Sequence, residues 1–151
     1  MKKTWVLAVI LSLVLIGCLG APNSGKTTAV IEFPDGFQVT AEVARSAGDK
    51  ANGLSGRQAL GEDEGMLFVY DEPCKPGFWM PGMNFPLDMV FLDENFTVVG
   101  VNANAQPCKP NSACPFYHPK ENALYVLEVN ANTSAEHGAV EGAVLELSFP
   151  E

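Results

Sequence analysis

The sequence predicts a small β-rich domain of α+β class, barrel-like or sandwich-like, with one or two short helices. Short apolar and β-branched runs recur along the chain, turn residues separate them at short intervals, and segments with helical start and stop signals are few and brief. The globular part is assigned to residues 28–151 of the 151, a length that suits one domain with a modest core. No internal repeat or second compositional block divides it.

Thr28 to Phe33 and Phe37 to Ala44 flank Pro34-Asp35-Gly36, which is a hairpin signal with its turn chemistry in place. Residues 46–59, rich in Ala and Gly, read as a short interrupted helix or a loop. Met66 to Tyr70 is a short apolar run expected to form a buried strand. A Pro- and Gly-rich stretch from Glu72 to Pro86 follows and carries Phe78-Trp79-Met80. Leu87 to Leu92 and Phe96 to Val101 read as strands joined through Asp93-Glu94-Asn95. Asn102 to Lys120 is a proline-containing loop with two cysteines, and Ala123 to Val129 is a further strand. Asn132-Thr133-Ser134 offers an N-cap for a helical turn or two, stopped by Gly138. A turn at Val140-Glu141-Gly142 leads into a last strand, Ala143 to Phe149.

The first seventeen residues read as a signal peptide. Lys2 and Lys3 precede an apolar run, Trp5 to Ile16, broken only by Ser12. That run suits a signal h-region and falls short of the roughly 20 residues that a spanning helix needs. The segment closes on Leu15-Ile16-Gly17-Cys18, which resembles the lipobox of prokaryotic lipoproteins. The resemblance implies cleavage after Gly17 and a diacyl lipid on Cys18. Two acyl chains anchor stably, at about 0.8 kcal/mol per buried CH₂, whereas one holds only marginally. Residues 18–27 are then the lipid-attachment cysteine and a flexible, small-residue tether. The expected location is the extracytoplasmic face of the cell membrane.

Loss of the leader removes two lysines and moves the formal charge from −9 to −11. A chain this acidic opposes nucleic-acid phosphates, whose binding depends on clustered Lys and Arg. Nucleotide binding is rejected on context. Gly20 to Thr27 fits G-x-x-x-x-G-K-[ST], but a signal segment precedes it and β-branched residues follow, where a P-loop needs a core strand and a helix.

Cysteine use fits an oxidising exterior. Cys108 and Cys114 enclose five residues, and a bridge between them would staple a long loop, worth roughly 2 to 3 kcal/mol. Cys74 is then a free or packed thiol, although a pairing that involves it stays open. Metal binding is the sharper alternative. Cys74, Cys108, Cys114 and His118 have zinc-type ligand chemistry, and Met80 with Met83, joined by His118, has the thioether chemistry of monovalent copper. Both spacings are loose signals, and methionine is more often core filler.

Asp88 opens an otherwise apolar run and so needs a partner. The chain has two arginines, Arg45 and Arg57, and Arg57 is the favoured one. Such a pair would orient a ligand or fix the sheet against a loop. His137 falls at an expected helix end, where the helix dipole explains it. Two sequons, at Asn95 and Asn132, carry little weight. No nucleophile elbow or zincin helix is visible, and no cofactor is expected.

From Val39 onward the chain resembles the domain of unknown function numbered 192. The resemblance runs through Ala41 to Ala44, Gly53-Leu54, Gly56-Arg57, Glu64 to Tyr70, Phe78-Trp79-Met80, Pro86 to Asp93, Pro107-Cys108, Cys114-Pro115, Tyr125 to Glu128 and Gly142. It implies a compact domain of mixed strands and short helices, often exported, and brings no activity with it. Arg57, Trp79, Met80 and Asp88 belong to that pattern and are expected to line a ligand pocket. Pro81 to Phe85 stands where the family usually has polar residues such as Lys-Asn-Thr, and Cys74 lies outside the pattern. The leading expectation is a lipid-anchored, non-catalytic module that binds a small ligand or an envelope protein. A copper or zinc protein comes second, and an enzyme using Asp88 and Arg57 third.

Overall fold

The computed structural model describes residues 27–149. The expected leader, Cys18 and almost all of the tether lie outside the described residues. Seven strands follow in chain order: β1 (Thr28–Glu32), β2 (Gln38–Ala44), β3 (Glu64–Cys74), β4 (Leu87–Leu92), β5 (Val98–Ala105), β6 (Ala123–Asn130) and β7 (Glu146–Ser148). Two helices interrupt them, α1 (Ala47–Asn52) and α2 (Thr133–Glu136). With helices of six and four residues, the domain is mostly β, and the α+β label fits it only loosely.

One sheet holds all seven strands, in the order β5-β4-β6-β3-β2-β1-β7. The pairs are antiparallel except β2 with β3, which run parallel through a crossover that carries α1. The sheet curls until its last segment returns to its first edge. Val98 N–H donates to Ala143 O at 2.8 Å, and Leu145 N–H donates to Phe96 O at 3.1 Å. The result is a half-barrel rather than two stacked sheets.

Strand alternation divides the apolar residues between two faces. The inner face gathers Ile31, Val39, Leu67, Val90, Val98 and Leu127, from six strands. The outer face of β3, β4 and β6 carries Met66, Phe68, Leu87, Met89, Phe91 and Val126. Leu54, Phe78 and Met80, from the loops after α1 and before β4, cover that second face. β4 is buried at all six positions because it lies between these two clusters.

The expected elements sit close to their predicted places, with shifts that have local causes. The hairpin turn closes through Gly36 N–H to Phe33 O, with Gly36 at φ 89°. β5 begins at Val98 rather than Phe96 because Asp93 Oδ1 accepts from both Asn95 N–H and Thr97 N–H, which prolongs the turn. Asn132 precedes α2 with φ 79° and makes no side-chain cap bond. β7 is restricted to three residues, and Ala143 to Leu145 instead serve the closure to β5.

Candidate functional site

A cleft of about 510 Å³ opens over the outer face of the sheet, between α1 and residues 77–83. Its floor is a row running across three strands. Glu128 of β6 lies opposite Met66 of β3 on one side and Met89 of β4 on the other. Strand pairing places residues in register on a common face, so Glu128 stands between two thioethers and beside Phe68.

Glu128 is buried, with 5 % of its surface exposed. Among the described residues it has no hydrogen-bond or ion-pair partner. Neither carboxyl oxygen is sealed from the cleft, since no fully enclosed side-chain oxygen lacks a partner. Burial alone pushes its carboxyl up from the ordinary value to about 8. At neutral pH the group is mostly protonated, able both to donate and to accept.

The walls are built locally. Ser46 Oγ accepts from Asp49 N–H at 3.1 Å and so caps the start of α1. The helix sets Lys50 Nζ over the Tyr70 ring, 4.4 Å from its centroid. Burial, followed by the neighbouring charges of Cys74 and Glu128, raises the Tyr70 hydroxyl to about 12, so it remains a donor.

The opposite wall is tied at both ends. Ser55 Oγ donates to Pro81 O at 3.1 Å, and Gly56 N–H donates to Gly82 O at 2.9 Å. Gly82 has φ 68°, and an added Cβ would come within 2.5 Å of Ser55 Oγ, so only glycine suits this tie. Phe78 exchanges backbone hydrogen bonds with Tyr117, and Cys108 N–H donates to Met80 O. The Cys108–Cys114 disulfide forms as expected and closes the loop that backs this wall. At the rim Trp79 is 54 % exposed and stacks on Phe116, with ring centroids 5.4 Å apart. Phe116 in turn stacks on His118.

Of the four residues expected to line a pocket, Trp79 and Met80 line this cleft. Arg57 and Asp88 do not join them, and their expected ion pair does not form. Arg57 Nη2 donates to Glu42 Oε2 at 2.8 Å. Asp88 is fully buried among backbone donors. Asn104 N–H reaches its Oδ1 at 2.8 Å, while Ser134 N–H and Oγ–H reach its Oδ2 at 3.0 and 2.5 Å. Asp88 alternates with Leu87 and Met89 along β4, so it points away from the cleft.

The expected zinc-type quartet is likewise not assembled, because Cys108 and Cys114 are bonded to each other. Cys74 is a free thiol at the end of β3. Met80 and Met83 do share the cleft with Glu128. His137 is explained by more than a helix end, since its Nδ1 lies 2.8 Å from Asp35 Oδ2 and its ring stacks on Phe37 at 3.8 Å.

The sequence reading missed Glu128, Tyr70 and Lys50 as site residues. Glu128 carried the same signal as Asp88, a carboxylate inside an apolar strand run, Ala123 to Val129. Lys50 and Tyr70, twenty positions apart, carried none.

The DUF192 family, described as "Uncharacterized ACR", matches residues 23–147. The chain belongs to it. No curated protein matches the chain. Among solved structures it is similar to a protein from Sinorhizobium meliloti described as a candidate transcription regulator, with a TM-score of 0.69 and 27 % identity over 86 % of this chain and 98 % of the other. It is also similar to a protein of unknown function from Novosphingobium aromaticivorans, with a TM-score of 0.67 and 30 % identity over 83 % of this chain and 89 % of the other.

Proposed function

We propose that this DUF192 protein is an exported, lipid-anchored binding module, and that the cleft above Glu128 holds a small organic ligand without catalysis. The observation that carries the reading is a nearly buried carboxyl group with no partner among the described residues, open to a cleft of about 510 Å³. Ligand sites have this size and composition: mostly apolar and aromatic walls with a few polar groups that fix orientation. A buried polar group that nothing satisfies costs stability, so its retention is a reason to look for a ligand.

The solved relative described as a candidate regulator raises the alternative of DNA binding. The formal charge of −9 argues against it, because duplex binding draws its affinity from neutralised phosphates. The anchoring reading rests on the leader and on Cys18. Labelling with a radioactive or alkyne-tagged fatty acid should mark the protein, and Cys18→Ala should abolish both the label and membrane retention. Firm membrane binding of the unlabelled variant would replace the lipid with an uncleaved helix.

The cleft reading is tested by thermal shift against small-molecule libraries, since a ligand of the folded state raises apparent stability. Hits should lose their effect in Trp79→Ala. Hits indifferent to both Trp79→Ala and Glu128→Gln would place binding elsewhere. A second reading, monovalent copper, is favoured over zinc because Met80 and Met83 both line the cleft. Elemental analysis of untagged protein would remove it if copper were substoichiometric.

A further inference from the structure

We propose that the cleft takes an organic ammonium ion on a small apolar body, with the Glu128 carboxylate as its counter-ion. The inference rests on the cleft reading above and names its ligand class. Three features of the cleft converge on a cation.

First, among the described residues no cation pairs with Glu128. The charged and titratable groups around it are accounted for element by element. Glu42 lies along the same row, one strand beyond Met66, and binds Arg57. Lys50 of α1 is engaged with the Tyr70 ring. Tyr70 of β3 is a neutral hydroxyl near neutral pH. The strand partners of Glu128 are methionines, and the 77–83 wall offers Phe78, Trp79, Met80 and Met83, all uncharged. With Lys50 held on the Tyr70 ring, a cation brought from outside would stabilise a carboxylate in such surroundings.

Second, the walls suit an ammonium. Tyr70, Phe78 and Trp79 line the cleft, and aromatic rings attract cations; Lys50 already covers the Tyr70 ring, which leaves Phe78 and Trp79 for a ligand. Lys50 shows that an ammonium already rests on this wall. Trp79 is held in place by its stack on Phe116, so little ordering is needed when a ligand meets it.

Third, the size and ligand set disfavour a bare ion. A hard divalent cation takes about six or more oxygens, and the cleft offers one carboxylate. No grouping of three His, Cys, Asp or Glu suited to a metal exists among the described residues. An anion would meet the buried carboxyl, and the ammonium that lines the cleft, Lys50, is already engaged with the Tyr70 ring.

Binding has a proton balance. Glu128 is mostly protonated at pH 7, so the cation binds the ionised form and the displaced proton leaves to solvent. No covalent bond forms or breaks apart from that O–H.

The test compares choline with its uncharged isostere 3,3-dimethylbutan-1-ol, by calorimetry on the full chain in a non-ionic detergent. Choline should bind at least about tenfold more tightly than the alcohol. Its affinity should rise toward about tenfold per pH unit between pH 6 and 8, with close to one proton released per ligand in buffers of different ionisation heat. Glu128→Gln, which keeps the shape of the protonated side chain, should abolish both the preference and the proton release while melting no lower than the wild type, and higher at pH 8.

Equal affinity for both probes, or pH-independent choline binding, overturns the proposal. Binding of the alcohol alone overturns it too, yet leaves the cleft reading standing. Absence of binding by either probe overturns it, with the library screen deciding the cleft separately. Silver ion bound one to one and lost in Met80→Leu, with no heat from choline, would hand the site to a soft metal.

Discussion

Asp88 and Glu128 lie on neighbouring strands and are both removed from water, yet their surroundings are opposite. Asp88 faces the inner side, where three donors from Asn104 and Ser134 surround it. Glu128 faces the outer side between Met66 and Met89 and has none among the described residues. A carboxylate supplied with donors on every side is a structural group that ties α2 and β5 to β4. A carboxyl left without them costs the fold stability and remains available to something else. Two acidic residues in two apolar runs are therefore one structural fixture and one candidate recognition group.

The strongest way to break this comparison is Asp88→Ala. It leaves the amides of Asn104 and Ser134 buried without an acceptor, and it should cost about 4 kcal/mol, read from urea midpoints. A loss below about 1 kcal/mol would mean that Asp88 is not a fixture.

The reverse expectation holds for Glu128. Its folded value of about 8 lies above the ordinary value of 4.5, so between those limits the folded state holds a proton that the unfolded chain has released. Stability should fall as pH rises through that window, at about 1.4 kcal/mol per pH unit, then level off above about pH 8. Glu128→Gln should remove that slope and be the more stable protein at pH 8. A variant with the same pH profile as the wild type would show that Glu128 is not desolvated.

Smaller effects separate the covering of the cleft from the sheet beneath it. Replacing Cys108 and Cys114 by serine should cost about 2 kcal/mol. It should also weaken ligand binding, because Cys108 N–H holds Met80 O. Ser46→Ala removes the cap of α1 and should cost about 1 kcal/mol. Trp79→Ala, at an exposed position, should change the melting temperature little while reducing ligand affinity.

Much of the fold was legible because it is local. Pro34-Asp35-Gly36 makes its turn with its immediate neighbours, Asp93 bonds amides two and four residues ahead, and the apolar runs of β4 and β6 mark their burial. The Cys108–Cys114 bridge was legible for the same reason, since six positions separate the pair. The site was half legible. Phe78-Trp79-Met80 stood out as an aromatic and thioether cluster in a loop, and that loop is a wall of the cleft. Asp88 stood out as a carboxylate in need of a partner, but its partner was misassigned to Arg57. The donors were amides 16 and 46 residues away and a hydroxyl, and neutral donors leave no mark in a sequence searched for opposite charge.

By itself the sequence determined most strands and turns and the family, and favoured Cys108–Cys114 as the bridge, because each follows from residues near one another or from a pattern along the chain. Only the tertiary structure decided which buried carboxylate is satisfied. The strand order β4-β6-β3 sets Met66 and Met89 beside Glu128, and the packing of α2 brings Ser134 to Asp88. Alternation tells which face a side chain takes, but the neighbours on that face come from distant strands. Those neighbours set whether its charge is held or left open.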